Sequence, residues 1–325
     1  MNRAALISLL VPALPCMAGT ISLQRPELQM PVDCTLGQSC YIQNYVDRDP
    51  GPGARDVGCG GLTYDGHKGT DFALPTVAAM RTGVEVRAAA PGVVRAIRDG
   101  ETDRAFIEGV SVAGKECGNG IVVTLGDGWE AQYCHLRKGS VAVKPGQKIA
   151  AGDPLGLVGQ SGKAAFPHLH LELRHDGQTV DPFDPDRSEI CDPKGAASEL
   201  WSDPIAYVPS GLLEVGLAAT PPDYEAVKAG LPAAPELSAD SPALVGWVYG
   251  FGLRAGDTVE ISIDGPHGFH FEHKGLADAS KVLFYRYSGK KRPAEGWPRG
   301  TYEAQVTLLR DGEVIAQKTS MTQLD

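Results

Sequence analysis

Charge and aromatic side chains are scarce in this sequence, and no internal apolar run is long enough to cross a bilayer. Of 325 residues, 22% are charged and 7% aromatic. Beyond the N-terminus, no stretch approaches the ~20 apolar residues a membrane helix needs, so no integral membrane segment is expected. Blocks of Lys or Arg are also missing, and the net charge is −10. Such a chain has no electrostatic footprint for nucleic acid. No long stretch shows a capped helical period, whereas 40 Gly and 24 Pro favour turns and short strands. The expected fold class is mostly β. No C-x-x-C pair occurs, which speaks against a cysteine-ligated zinc as the use of the seven cysteines.

The start, Met1-Asn2-Arg3 followed by the short apolar run 4–11, reads as a signal peptide covering 1–18, cleaved after Ala18 with Cys16 at the −3 position. An alternative makes Cys16 a lipid-modified N-terminus, to which Pro15 just before it is a poor fit. Export is therefore expected, to the periplasm or the exterior, with the periplasm favoured. Losing Cys16 with the signal leaves an even set of six cysteines, for which three disulfides are the natural hypothesis in an exported chain. Cys34 and Cys40 enclose a turn-like loop and are paired on that ground. Cys117 and Cys134 sit near the ends of a hairpin and are paired next, which leaves Cys59 with Cys191.

Residues 19–60 form a polar lead-in without periodicity, expected as an extended arm packed on the domain after it. From 61 to about 184 the chain reads as short strands punctuated by glycine. The clearest hairpin runs from 121–125 through Gly126-Asp127-Gly128 to 129–135. The irregular stretch 99–118 has the length of a binding loop and is the candidate for one wall of a groove. Prolines at 204, 209, 221, 222, 232 and 235 mark a junction. From 205 to 325, alternating strands separated by turns suggest an immunoglobulin-like β-sandwich.

Chemistry concentrates in three places. In Phe166-Pro167-His168-Leu169-His170-Leu171-Glu172-Leu173-Arg174 the alternation is strict, the mark of a half-buried strand with three leucines facing a core. The opposite face carries two imidazoles roughly 6–7 Å apart, a spacing at which a sheet presents nitrogen ligands to a transition metal. A second group is His67-Lys68-Gly69-Thr70-Asp71, where a glycine between nitrogen and carboxylate donors lets the backbone fold back so that both reach one point. The third is Tyr133-Cys134-His135 at the hairpin's end. Glu172 reads as a rim salt-bridge partner and His175, beside Asp176-Gly177, as hairpin-turn surface. His267, His270 and His273 have a spacing that alternates faces of a strand, and are expected in an exposed loop.

The set His67-x-x-x-Asp71, His135 after Tyr133 and His168-x-His170 resembles the lysostaphin-type zinc metallopeptidases, which cleave peptide bonds in bacterial peptidoglycan. The resemblance covers roughly 61–184, includes that family's duplicated hybrid motif in segments 92–94 and 145–158, and stops before the C-terminal unit. It implies a peptidase domain over 61–200, with His67, Asp71 and His170 as zinc ligands. His135 and His168 become the catalytic pair around the attacking water and the scissile carbonyl. Two neutral imidazoles and one carboxylate leave a fourth position open on zinc, the pattern of a catalytic rather than structural site. The implied partners are peptidoglycan stem peptides. The C-terminal unit is expected to place the catalytic domain on the wall or on a partner.

Two other classes compete with this one. Segment 143–153 resembles the biotinyl/lipoyl hammerhead, but no lysine in a Met-Lys setting comes after it. A non-catalytic wall-binding or hydrolase-activating protein is the second, and the complete set of five site residues speaks against it.

Overall fold

The structure, a computed structural model, describes residues 25–186, 199–232, 234 and 237–324. The expected signal segment 1–18 and Cys191 lie outside the described residues. The first part of the chain contains β1 (Tyr41–Asn44), β2 (Thr70–Ala73), α1 (Val77–Thr82), β3 (Glu85–Arg87), β4 (Gly92–Arg98), β5 (Asn119–Gly126), β6 (Trp129–Leu136), β7 (Lys148–Ile149), β8 (Pro154–Leu157), β9 (His168–His175) and β10 (Gln178–Val180). One antiparallel sheet runs β1-β2-β9-β6-β5-β4-β7, with β10 also pairing to β9, while β3 and β8 pair separately. The fold is mostly β.

Strand β9 lies between β2 and β6, and its alternation explains the place. Leu169, Leu171 and Leu173 are buried in one core with Phe72, Val123 and Tyr133. Pairing fixes the other face: a slip of one residue would carry all three leucines into the site and the histidines into the core. The lead-in, expected as an extended arm packed on the following domain, also supplies residues to its core and a strand to its sheet. Leu28 and Val32 sit in the core, and β1 is the edge strand of the sheet itself. Four residues, all buried, are too few to show a period. Both faces are covered because Tyr41 stacks on Phe251 of the C-terminal part at 4.6 Å between ring centroids.

That part contains β11 (Gly211–Ala218), α2 (Tyr224–Ala229), β12 (Ala243–Leu253), β13 (Thr258–Gly265), β14 (Phe269–Leu276), β15 (Lys281–Lys291), β16 (Gly300–Arg310) and β17 (Glu313–Leu324). Two sheets, β11-β12-β15 and β14-β13-β16-β17, enclose a core with Val248, Phe284, Ile261 and Val306. Lettered A to G, the strands form A-B-E against D-C-F-G. The fourth strand thus joins the C-F-G sheet instead of lying beside E as in an immunoglobulin constant domain. His270 and His273 are exposed, but they stand on edge strand β14, not in a loop; ladder pairing to β13 outweighs the poor apolar alternation of that stretch.

Two six-residue helices escaped the sequence reading because neither is long enough to show a 3.6-residue period. Thr76 and Asp223 cap them by accepting from Ala79 N and Ala226 N. Cys34–Cys40 and Cys117–Cys134 are disulfides, and Cys59 is also disulfide-bonded. Because Leu169 is fully buried beneath the site strand, Leu169→Ala should cost about 2–5 kcal/mol of stability, read as a lowered midpoint in denaturant unfolding.

Candidate metal centre

Register assembles the site. Asp71 on β2 is the direct cross-strand partner of His170 on β9, and Ala73 that of His168; partners share a face. His67 precedes β2 in a turn closed by His67 N donating to Tyr64 O. The result is a cluster of three donor atoms, all within 4.8 Å of one another. His170 Nδ1 lies 2.8 Å from Asp71 Oδ1, His67 Nε2 lies 3.2 Å from the same oxygen, and the two nitrogens are 3.2 Å apart. Ligands at zinc's usual 2.0–2.1 Å in a tetrahedron are separated by about 3.3 Å, so the cluster has the right span.

Gly69 works differently from the sequence expectation. It has no left-handed φ. Instead, a Cβ there would stand 2.7 Å from the His170 ring and 2.6 Å from Leu171 O. Glycine is needed for close approach of β2's lead-in to the His170 imidazole, not for a reversal of the chain.

Hydrogen bonds set the tautomers. A carbonyl oxygen only accepts, so each imidazole nitrogen facing one must carry the proton. His67 Nδ1 donates to Tyr45 O at 2.7 Å, His135 Nδ1 to Ser161 O at 2.8 Å and His168 Nδ1 to Phe166 O at 2.8 Å. In the neutral rings, the Nε2 lone pairs are left available. His168 Nε2 is 3.6 Å from Asp71 Oδ1, and the His135 ring is centred 4.6 Å from that of His168 and 5.9 Å from that of His170.

His135 reaches this face against the parity of its strand. In the β6–β9 pairing, Tyr133 opposes Leu171 and Cys134 opposes His170, so plain alternation would turn His135 into the core. Its backbone is left-handed, φ 64°, and the β5–β6 register shifts beside it. Such bulges re-aim side chains, and a strained backbone persists only where its surroundings hold it. Asn119 Nδ2 and Ser161 Oγ both donate to Leu136 O, at 2.9 and 2.8 Å, and His135 N donates to Cys117 O. The Cys117–Cys134 disulfide ties down the preceding residue.

Burial would raise the Asp71 pKa, but the imidazoles of His67 and His168 and hydrogen bonds from His170 and His67 overcome it and hold the carboxyl well below its usual range. Burial lowers His67 as well, yet Asp71 more than offsets this and leaves it raised. His135 is pulled well below the ordinary imidazole value, first by burial and then by His168 and His170. Burial likewise lowers His168. A buried, ionised carboxylate needs a counter-charge, and a divalent cation held among the three donors supplies one. The donor set therefore fits zinc.

Around the centre, Phe166 packs on His168 and the half-exposed Tyr64 on His67, at 4.4 and 4.6 Å between ring centroids. The loop 99–118 docks beside Ser161, with Arg104 N donating to Gln160 O and Phe106 N to Ala164 O. Glu172 pairs with Arg174 at 2.8 Å, and His175 stacks on Trp129. The sequence reading missed Asn44, whose amide donates to Asp71 Oδ2 at 2.8 Å; its only signal was an amide next to Gln43 in an otherwise aromatic and aliphatic strand.

Residues 65–182 match the profile of Peptidase family M23. Through that segment the chain is similar to Peptidase family M23. It is 34% identical over 114 residues to the peptidoglycan DD-endopeptidase ShyA of Vibrio cholerae, covering 35% of this chain and 21% of that protein. Over 92 residues it is also 34% identical to the murein hydrolase activator EnvC of Escherichia coli, covering 28% of this chain and 22% of that protein. The chain thus spans about a fifth of each relative's length. Among solved structures, it resembles the catalytic domain of the prophage-encoded M23 protein EnpA from Enterococcus faecalis at 26% identity and a TM-score of 0.32, covering 46% of this chain and 92% of that one.

Since Gly69 faces the His170 ring at contact distance, Gly69→Ala should displace that ligand. The expected outcome is a loss of about 1–3 kcal/mol in stability together with weakened zinc binding, measured by denaturant unfolding and by zinc titration of the same protein.

Proposed function

We propose that this chain is an exported zinc metalloendopeptidase that hydrolyses peptide crosslinks of bacterial peptidoglycan. His67, Asp71 and His170 would hold the metal, with His135 and His168 as the catalytic pair. The observation that carries the reading is the convergence of His67 Nε2, His170 Nδ1 and Asp71 Oδ1 within hydrogen-bonding distance of one another, beside two buried imidazoles that each present Nε2. Zinc in a three-ligand setting lowers the pKa of a coordinated water to about 7 and polarises a carbonyl.

The protein's own residues supply the proton path. Hydrogen bonds to Ser161 O and Phe166 O orient His135 and His168, and burial disfavours the charged form of both. One of them accepts the proton of the water whose oxygen attacks the scissile carbonyl carbon, and delivers it to the leaving nitrogen as the C–N bond breaks. The other, its Nδ1–H already held by a carbonyl, can donate from Nε2 to the oxygen that gains charge only in its protonated form. Products are a carboxylate and an amine, with no other reactant consumed.

The region 99–118, docked along 160–164, would form one side of the groove for a stem peptide. No helix among the described residues is long and apolar enough to cross a membrane, and the disulfides accord with an oxidising compartment, the periplasm or the exterior. A second reading, a hydrolase activator without turnover, draws on the similarity to EnvC. The donor set, which such a role does not need, favours the enzyme.

Asp71→Ala and His170→Ala should lose both bound metal and hydrolysis of purified sacculi. By contrast, His135→Ala should retain metal while turnover falls about 10²–10⁴-fold. Metal analysis paired with chromatography of released muropeptides checks both. Zinc-loaded wild type that releases nothing would favour the activator. Chelation should abolish the release and added zinc restore it.

A further inference from the structure

We infer that Asn44, outside the segment matched to the peptidase family, is a positioning residue of the metal centre that fixes Asp71 with a single oxygen turned toward the metal. This inference rests on the zinc-peptidase reading and adds to it a strand that lies outside the matched domain.

Asn44, Asp71 and His170 form one row across three strands, Asn44 paired with Asp71 in β1–β2 and Asp71 with His170 in β2–β9. The row depends on an irregularity. Tyr41 pairs with Ala73 and Ile42 with Phe72, so a regular ladder would bring Gln43 opposite Asp71. The register instead shifts between Ile42 and Asn44, and the shorter amide takes the place. Bulges of this kind next to a site re-aim side chains.

Chemistry decides which end of the amide faces inward. An ionised carboxylate has no proton to give, so only the NH2 of Asn44 can point at it, and Nδ2 lies 2.8 Å from Asp71 Oδ2. The other oxygen, Oδ1, is the one within reach of both His67 and His170. Asn44 thus engages one oxygen and leaves the other to the cluster. A neutral donor does this without adding charge to a buried site, which a lysine or arginine would.

The residue next in sequence performs the matching task for a second ligand, since Tyr45 O accepts from His67 Nδ1. Asp47 continues the support: its Oδ2 accepts from Gly66 N at 2.9 Å and its N donates to His67 O at 2.8 Å. Residues 44–47 therefore orient two of the three ligands. Partners of this kind affect metal affinity by about 10–100-fold when removed. The strand is itself anchored by Tyr41 on Phe251, so the C-terminal part braces the support from outside.

The test uses the full chain and zinc itself. Zinc affinity is measured by competition with a chromophoric chelator for wild type, Asn44→Ala and Asn44→Leu, and the visible absorption of the cobalt-loaded forms is recorded alongside. Asn44→Leu fills nearly the same space, adds no charge and has no proton to donate, and it separates loss of the hydrogen bond from loss of packing should Asn44→Ala fail to fold. Both variants are expected to bind zinc about 10–100-fold more weakly, with an altered cobalt spectrum that reports changed carboxylate coordination. If Asn44→Leu binds zinc within about threefold of wild type and its cobalt spectrum is unchanged, the positioning role is wrong while the peptidase reading stands. A wild-type chain that binds no zinc overturns both.

Discussion

One buried carboxylate governs the organisation of this protein. Asp71 is 2% exposed and held in its ionised form by the imidazoles around it. An isolated charge in such a position would cost many kcal/mol, so the surrounding chain is committed to satisfying it. His67 and His170 share one of its oxygens and Asn44 takes the other. Each of those partners is in turn held by a cross-strand pairing or by a backbone carbonyl.

The scaffold answers this requirement with register. Three adjacent strands bring Asn44, Asp71 and His170 into one line, and the leucines of β9 lock that line by burying its opposite face. Two local departures from regular pairing then do what alternation cannot. One brings Asn44 opposite Asp71, and the other turns His135 out of the core toward His168. The C-terminal sheets belong to the same construction, because Phe251 closes the outer side of β1 and packs against Tyr41 and Ala73.

The division of labour among the five site residues reflects the atoms each can reach. Donors of His67, Asp71 and His170 converge on one point, whereas His135 and His168 stand next to it, desolvated, with their protons tied to carbonyl oxygens. A hydrolase activator would have no use for buried, oriented imidazoles, which cost desolvation energy and backbone strain at His135. Hydrolysis requires such groups. The similarity to both DD-endopeptidase and activator proteins shows why the reading has to come from the site and not from the fold.

Much of the candidate site was legible because its signals are local. Period-two alternation in 168–174, the Gly126-Asp127-Gly128 turn and the spacing of Cys34 to Cys40 and Cys117 to Cys134 are all short-range properties of the chain. Such patterns determined the mostly β character, the β9 faces and the residues able to bind a metal. Only the tertiary structure decided that Asn44 bonds to Asp71 and the Tyr45 carbonyl to His67, that Gly69 leaves room for His170, and that His135 leaves the parity of its strand. Each of these is a contact between segments far apart in sequence, and register shifts and close approaches leave no period in the residues that make them.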